Sequence, residues 1–322
     1  QNISIFTQNK YRSLLDHLGT GKAWDLDRKN DGLFIMNPTF DYHYLGMYRG
    51  DIENFKSHID YINFSKQNNV IITSSNMICN LNYGDAIKYH NKNGADITII
   101  YKQADNCIDD YQYCNTLTLD ENGRIEHIDL NFGKESKCNI SMDMYILKKS
   151  LFLDIVNSCV SRGYYDYFRE AVRKYLDKLK IYGYRFEGYL ACINSIYGYY
   201  RTNMQLLDME VSKELFFKNG LIYTKVKDEP PTKYEENARV TNSFVANGCV
   251  INGQVENSIL FRSVKIREGA VVKNSIIMQN CLIEEGSEVV NAILDKSVRV
   301  TKGKQLIGAE EDPKVYEKKA II

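Results

Sequence analysis

Acidic side chains are preferred ligands of Mg²⁺, and several early aspartates fall in loops or at the start of a helical pattern. Four of them are Asp25, Asp27, Asp31 and Asp85. The first three lie in a loop-like stretch at residues 22–50, and a long ordered loop in an α/β protein is usually the wall of a site. The fourth is more simply a favourable charge in the first turn of a helix. These acids alone therefore do not identify a metal site.

The eight cysteines are scattered along the chain and form no CxxC pair. Cys281 falls in an apolar position of a repeat described below, as a small buried hydrophobic residue would. This usage predicts reduced thiols in a cytoplasmic protein.

The composition excludes several classes of partner. Lys plus Arg and Asp plus Glu both number 41, so the formal net charge is zero. Such a chain has no electrostatic footprint for nucleic acid or for an anionic membrane. No apolar run approaches the length of a membrane span, and no signal peptide is recognisable. At 322 residues the chain is long enough for two domains with sizeable cores.

Short apolar strands alternate with amphipathic helices over the first two thirds of the chain, and a hairpin is expected around residues 120–123. We expect strands at residues 1–7, 70–73, 96–101, 116–119, 124–130, 140–147 and 182–186. We expect helices at residues 11–18, 52–67, 82–93, 149–162, 168–179 and 196–208. This alternation predicts a parallel or mixed sheet that is covered on both faces.

Residues 242–306 contain a repeat of seventeen residues, in which Asn257, Asn274 and Asn291 are equally spaced. The apolar residues recur in register in five slots: Ile259, Ile276 and Ile293; Leu260, Ile277 and Leu294; Val264, Cys281 and Val298; Ile266, Ile283 and Val300; Val272, Val289 and Leu306. A fixed period with apolar residues in register is typical of a solenoid, whose coils bury a core only by stacking. The stretch resembles the left-handed β-helix of hexapeptide repeats.

We expect the interior of this β-helix to hold nine side chains. They are Ile259, Val264, Ile266, Ile276, Cys281, Ile283, Ile293, Val298 and Val300. Hexapeptide acyltransferases use such a β-helix directly and need a histidine base near the coils. All five histidines lie outside the repeat, at His17, His43, His58, His90 and His127. The β-helix is therefore expected to be a structural or oligomerisation module.

We predict an α/β domain at residues 1–225, a linker at 226–236 around Pro230-Pro231, a β-helix at 237–309 and a charged tail with helical character at 310–322. The chain opens directly on a strand pattern without Met, so we expect that an upstream segment precedes it.

The two domains together resemble the sugar-1-phosphate nucleotidyltransferases, and in detail the glucose-1-phosphate adenylyltransferase (ADP-glucose pyrophosphorylase) family. The resemblance covers essentially the whole chain. It is carried by Ile5-Phe6-Thr7-Gln8, Asp16-His17-Leu18, Tyr48-Arg49-Gly50, Asn139-Ile140-Ser141-Met142, Ile222-Tyr223-Thr224-Lys225, Pro230-Pro231, Asn257-Ser258-Ile259-Leu260 and Asn274-Ser275-Ile276-Ile277. Residues 188–191, 193–196 and 222–234 look most like the second, non-catalytic subunit type of Gram-positive bacteria. The resemblance implies a Rossmann-like nucleotidyltransferase domain in three layers, followed by a left-handed parallel β-helix.

The family joins ATP and glucose 1-phosphate to give ADP-glucose and pyrophosphate. Such a site needs a glycine-rich backbone cradle, a basic residue and acidic ligands for Mg²⁺. The cradle of the family lies upstream of the strand at Ile3 and is absent from this sequence. The two family metal aspartates correspond to Ser75 and Cys192, a neutral hydroxyl and a poor Mg²⁺ ligand.

The rest of the family site is also altered. Lys134 lies near the place of the sugar-phosphate lysine but outside the family motif. A remnant pocket is expected from the following side chains: Ser74, Asn76, Ser141, Met142 and Lys134. We expect no catalytic residue, no metal ligand and no cofactor in this chain, although catalytic members of the family use Mg²⁺.

The resemblance therefore predicts a regulatory, catalytically weak or inactive subunit of glucose-1-phosphate adenylyltransferase in bacterial glycogen biosynthesis, cytoplasmic and without nucleic-acid or membrane partners. Its expected partner is the catalytic subunit, in a homo- or hetero-oligomer, because the open ends of a β-helix need cover. The alternative is an active sugar-1-phosphate nucleotidyltransferase with a divergent metal site.

Overall fold

The computed structural model describes residues 2–8, 10–29, 31–38, 50–108, 110–164, 166–224 and 226–322. The chain falls into two compact units. The first comprises Gln1–Met77, Leu81–Gly188 and Ile222–Val226, and the second comprises Ile78–Asn80, Tyr189–Leu221 and Lys227–Ile322. Among the described residues, no helix combines the length and apolar character that a membrane crossing needs.

Eight α-helices occur in the described residues. They are α1 Arg12–Leu18, α2 Asp51–Ser57, α3 Ile59–Phe64, α4 Tyr83–Lys92, α5 Lys149–Ser161, α6 Phe168–Arg173, α7 Ile196–Gln205 and α8 Met209–Phe217, with a 3-10 turn at Lys22–Trp24. Ten strands precede the β-helix. They are β1 Asn2–Phe6, β2 Gly32–Met36, β3 Asn69–Ile72, β4 Met77–Ile78, β5 Ile97–Ala104, β6 Asn115–Leu119, β7 Ile125–Leu130, β8 Cys138–Lys148, β9 Ile181–Arg185 and β10 Ala191–Cys192.

A mixed sheet organises the first unit. The long strand β8 pairs antiparallel with β3, β5 and β6, while β5 pairs parallel with β9 and β6 pairs antiparallel with β7. Helix α5 contributes Phe152, Ile155 and Val156 to one core cluster with Ile97 and Ile99 of β5. Strands β1 and β2 form a separate parallel pair. The sequence prediction of a mixed sheet with packed helices is thus confirmed.

Several predicted helices have different bounds in the structure. The helix expected at 52–67 is two helices, because the backbone of His58 leaves the helical conformation at φ −115° and its ring approaches the carbonyl of Asn37 at 2.8 Å. The helix expected at 168–179 ends at Arg173. Helix α8 was not predicted, although Asp208 caps it by accepting from the Glu210 N–H at 2.8 Å.

The repeat folds into fifteen short strands. They are β11 Lys233–Tyr234, β12 Arg239–Thr241, β13 Phe244–Val245, β14 Val250–Ile251, β15 Gln254–Glu256, β16 Ile259–Leu260, β17 Lys265–Ile266, β18 Val271–Lys273, β19 Ile276–Ile277, β20 Leu282–Ile283, β21 Glu288–Val290, β22 Ala292–Leu294, β23 Arg299–Val300, β24 Gln305–Ile307 and β25 Lys314–Tyr316. Every third strand joins the same sheet, giving three sheets of five parallel strands. Ile259, Ile276 and Ile293 are direct partners, so the seventeen-residue period is the coil. The predicted left-handed β-helix is confirmed.

The β-helix extends beyond the predicted bounds at both ends. Lys233–Tyr234, within the expected linker, pairs with Val250–Ile251. Lys314–Tyr316 lies in the tail expected to have helical character, but it is a strand paired with Ala292–Leu294. An unpaired sheet edge offers a row of backbone donors and acceptors, so each flanking segment gains hydrogen bonds by adding a strand.

The prediction for the β-helix interior is wrong for one slot. All nine named side chains are buried, but Ile276 and Ile293 cluster with Tyr200 of helix α7, separately from the interior cluster. The adjacent Ile277 and Leu294 belong to the interior cluster instead. Successive side chains of a strand point to opposite faces, so only one of two neighbouring apolar residues can enter the coil.

This alternation predicts unequal effects of truncation at two neighbouring positions. Ile283→Ala empties part of the coil interior, where Ile283 is fully buried, and is expected to lower the unfolding free energy by about 2–5 kcal/mol. Leu282→Ala on the same strand is the matched control, since Leu282 is only half-buried, and about 1 kcal/mol or less is expected. Urea unfolding measures both. Equal losses would contradict the assigned facing of this strand.

Candidate functional site

The turn after β3 contains the first position where the sequence suggested a lost metal ligand. Ser75 is exposed in this turn. The neighbouring Ser74 hydroxyl donates to the Asn76 side-chain oxygen, and both residues are half-buried. The turn therefore offers hydroxyl and amide oxygens but no carboxylate, as the sequence indicated.

Strand β8 carries two further predicted pocket residues, Ser141 and Met142, and both are buried. The register between β8 and β5 shifts at this point. Tyr101 pairs with Ser141, but its neighbour Ile100 pairs with Met144, so Met142 and Asp143 have no partner on β5. The result is a β-bulge at residues 142–143. Bulges re-aim side chains and are frequent next to functional sites.

Asp143 lies in this bulge and was missed by the sequence reasoning. Its backbone adopts φ +50°, a left-handed conformation that costs energy for a residue other than glycine, asparagine or aspartate. Its carboxylate accepts hydrogen bonds from the Asn115 amide at 3.2 Å and the Tyr145 hydroxyl at 3.1 Å, and its N–H donates to the Ser141 hydroxyl at 3.2 Å. The one available signal was an aspartate between two methionines in a largely apolar strand, since such a residue needs partners when buried.

The surroundings of Asp143 favour its neutral form. Burial raises the pKa of its carboxyl above the ordinary value, and the nearby charge of Asp51 acts in the same direction. Arg169 opposes this shift, as do the hydrogen bonds from Tyr145 and Asn115. Burial also raises the pKa of Tyr145 well above its ordinary value, so its hydroxyl remains a donor. The Asp143 carboxyl can therefore hold a proton, as perturbed carboxyls at functional sites do.

Lys134 is the basic residue among the predicted pocket residues. It is exposed, in a loop whose base is fixed by Asn131, which donates to the carbonyls of Cys107 at 2.6 Å and Tyr111 at 2.9 Å. A disulfide between Cys107 and Cys138 closes the same loop. The structure thus places Lys134 in a tethered surface loop.

The disulfide corrects the prediction that every thiol is reduced. Cys107 and Cys138 are 31 residues apart, and their spacing in the sequence does not predict a disulfide. Their Cα atoms lie 6.1 Å apart because Cys138 opens β8 opposite Ala104, the last residue of β5. The sheet, and not local spacing, brings the two sulfur atoms together.

Cys192 belongs to the second unit, in strand β10, and its side chain is buried. Helix α7 begins close by: a Cβ added at Gly198 would lie 3.1 Å from the Cys192 carbonyl oxygen. The start of helix α7 therefore packs closely against the backbone of Cys192. Over the described residues of the chain, no three His, Cys, Asp or Glu side chains group as metal ligands. Tyr48, Arg49 and Lys225 of the family-like motifs and His43 fall outside the described residues.

The sequence matches two family models. Residues 1–190 match the nucleotidyl transferase family, and residues 230–319 match the GlmU-like C-terminal hexapeptide family. The mixed sheet and the three-sided β-helix agree with both assignments, and together they define a member of the nucleotidyl transferase family with a C-terminal hexapeptide β-helix.

The curated relatives are more specific. The chain is 35% identical to the glycogen biosynthesis protein GlgD of Bacillus subtilis (strain 168), covering 85% of this chain and 69% of the relative. It is 40% identical to GlgD of Geobacillus stearothermophilus, covering 84% and 69%. It is also 31% identical to the glucose-1-phosphate adenylyltransferase of Geobacillus stearothermophilus, covering 84% and 70%. The chain belongs to the glucose-1-phosphate adenylyltransferase family, together with the GlgD proteins.

The buried carboxyl of Asp143 predicts a pH-dependent stability. Because its folded-state pKa is raised, the folded chain binds the extra proton more readily than the unfolded chain, so the wild type gains stability as pH falls through the folded-state pKa toward the ordinary carboxyl range. The amide of the Asp143→Asn variant is uncharged at every pH. We expect this variant to have the larger unfolding free energy at pH 7, with the difference shrinking toward about pH 4.

Urea unfolding across this pH range checks the prediction. Asp129→Asn is the control, because Asp129 is exposed on strand β7 of the same sheet. A difference that grows toward low pH would be incompatible with a raised folded-state pKa at Asp143.

Proposed function

We propose that this chain is a regulatory subunit of glucose-1-phosphate adenylyltransferase, with weak or no catalytic activity of its own. The similarity to GlgD proteins and to glucose-1-phosphate adenylyltransferases supports a role in glycogen biosynthesis. The observation that carries the finer proposal is the pair of neutral residues, Ser75 and Cys192, at the two positions that resemble metal aspartates of the family. Ser75 lies in an ordered turn and Cys192 in a strand, but neither side chain supplies a negative charge for Mg²⁺.

The local chemistry at each position supports this proposal. Ser75 is solvated and Ser74 is engaged with Asn76, so this turn offers only neutral oxygen atoms. Cys192 is buried, and a thiol is a soft ligand that suits zinc or copper better than magnesium. Without two carboxylates, the charge that develops on the transferred phosphoryl group is poorly neutralised.

The β-helix supports the proposal of an oligomer. Strands β24 and β25 end two of the sheets, residues 320–322 pair with β23 at the end of the third, and β11, β12 and β13 begin the three sheets. The last coil also exposes Ile307, Val315 and Ile321, the last of these to 74%. Exposed apolar side chains at the end of a stack of coils favour a protein partner over solvent. We propose that this partner is the catalytic subunit or another copy of the chain.

A second candidate function is an active nucleotidyltransferase with a divergent site, and Asp143 is the observation that favours it. Its carboxyl is buried in a left-handed bulge beside Tyr145 and within the field of Arg169, an arrangement found at functional sites. In this case Asp143 would be essential for turnover, whereas in the regulatory case it would matter for stability alone.

Pyrophosphate release from ATP and glucose 1-phosphate tests the two candidates. The purified chain alone is expected to stay at background, and its addition to a catalytic glucose-1-phosphate adenylyltransferase from the same source is expected to change the rate or the effector response. Turnover by the chain alone at about 1–10³ per second, abolished by Asp143→Asn, would reject the regulatory function and establish the divergent enzyme.

The molar mass of the mixture tests the assembly. Light scattering of the chain with the catalytic subunit is expected to give a mass above that of either monomer. Two monomeric species at micromolar concentration would rule out a stable complex of this kind. Ile321→Asp, at the exposed end of the last coil, should reduce the assembled fraction if that end forms the interface.

A further inference from the structure

A cleft of about 500 Å³ lies within the second unit, between helix α7 and one corner of the β-helix. Its volume falls in the range of ~300–1,000 Å³ that is usual for small-molecule sites. The proposed regulatory function and the altered nucleotidyltransferase positions use none of its residues. All of its residues lie in the described part of the chain.

The β-helix wall of the cleft is a row of asparagines. Asn242, Asn257 and Asn274 occupy the same corner of successive coils, with φ of 41°, 45° and 44°. Successive strands of a sheet are ~4.7–4.9 Å apart, so the amides repeat along the cleft at about this interval. The Asn242 amide donates to the Asn257 oxygen at 2.7 Å. The Asn274 amide makes no side-chain hydrogen bond to any residue that the structure describes, and it lines the cleft with a donor and an acceptor.

The helical wall is aromatic and fixed in place. Tyr200 is 3% exposed, and its hydroxyl donates to the backbone carbonyl of Asn274 at 2.6 Å. Burial raises the pKa of Tyr200 to about 12, helped by the charge of Glu310, so the hydroxyl keeps its proton. One turn earlier, the half-buried Tyr197 lines the cleft, with the Arg201 guanidinium 5.6 Å from its ring centre. The ring of Tyr197 supplies an apolar surface beside polar groups.

The charges around the cleft disfavour an anionic ligand. Its lining carries one cation, Arg201, and two carboxylates, Asp208 and Glu310, for a formal charge of −1. Asp208 accepts a hydrogen bond from the Glu210 N–H and keeps further acceptor capacity. A phosphate would face two carboxylates and a single guanidinium, whereas the hydroxyls of an uncharged ligand can donate to both carboxylates and exchange hydrogen bonds with the amides.

We propose that this cleft binds a neutral oligosaccharide of glucose. Amides and carboxylates can bracket neighbouring sugar hydroxyls, and the C–H face of a pyranose can pack on the Tyr197 ring. The asparagine row repeats the same amide from coil to coil, which suits a ligand that repeats its own hydroxyls. The choice of glucose rests on the proposed role in glycogen biosynthesis, whereas the choice of a neutral polyhydroxyl ligand rests on the lining of the cleft.

Calorimetric titration of the full chain with maltotriose tests the proposal directly. Binding is expected, and Asn274→Asp or Tyr197→Ala is expected to weaken it by about tenfold, the equivalent of one or two lost interactions. Asn280→Asp is the matched control, because Asn280 is also a left-handed asparagine at a β-helix corner but is exposed outside the cleft. Thermal unfolding of each variant establishes that it is folded. No binding at about 10 mM maltotriose, a loss equal in the control, or undiminished binding in both folded cleft variants would overturn the proposal.

Glycogen and glucose 1-phosphate complete the experiment. Cosedimentation with glycogen that Asn274→Asp reduces would identify polymer chain ends as a source of the ligand. Maltotriose binding without glycogen binding would identify free oligosaccharides. Glycogen binding that Asn274→Asp leaves unchanged, or glucose 1-phosphate binding that this variant abolishes, would overturn the proposal. Sugar binding by a chain that does not alter the catalytic subunit would refute the proposed function alone, and the reverse result would refute the cleft alone.

Discussion

The corners of the β-helix are the constraint on which much of the second unit depends. Each coil must turn three times in fifteen to seventeen residues, and left-handed backbone conformations make these turns. Asparagine takes one corner, at Asn242, Asn257, Asn274 and Asn291, and glycine takes another, at Gly269, Gly286 and Gly303. The third corner carries Gly248, Ser263, Asn280 and Ser297. Asparagine and glycine reach this conformation at little steric cost, which explains why the same residue types recur.

The corners also determine what each strand buries. When the corners are fixed, alternate side chains of the short strands point inward and form a continuous core, and their neighbours point outward. On one sheet these outer neighbours are Ile276 and Ile293, which helix α7 covers through Tyr200. The helix is thereby held beside the asparagine corner, and the cleft arises between them. A packing requirement has in this way produced a polar cavity at a defined place.

In the first unit, the central strand of the sheet contains an irregularity that buries a carboxyl group. Its central strand β8 accommodates a bulge with a left-handed aspartate, a conformation that the surrounding hydrogen bonds from Asn115 and Tyr145 stabilise. The turn at Ser75 is exposed, and a disulfide tethers the loop that contains Lys134. The neutral residue at position 75 is the feature of this unit on which the proposed regulatory function rests.

The sequence by itself determined the repeat, its period and the pairing of its strands, because every coil must satisfy the same backbone geometry. It also determined the mixed α/β sheet and the residue types at positions 75 and 192, which are local facts. Only the tertiary structure decided that Ile276 faces a helix and Ile277 the interior, since both residues are apolar and periodicity cannot distinguish inside from outside. It alone joined Cys107 to Cys138 and buried Asp143, because both follow from how β5 and β8 align. Such contacts depend on residues distant in the chain, whose approach no local pattern encodes.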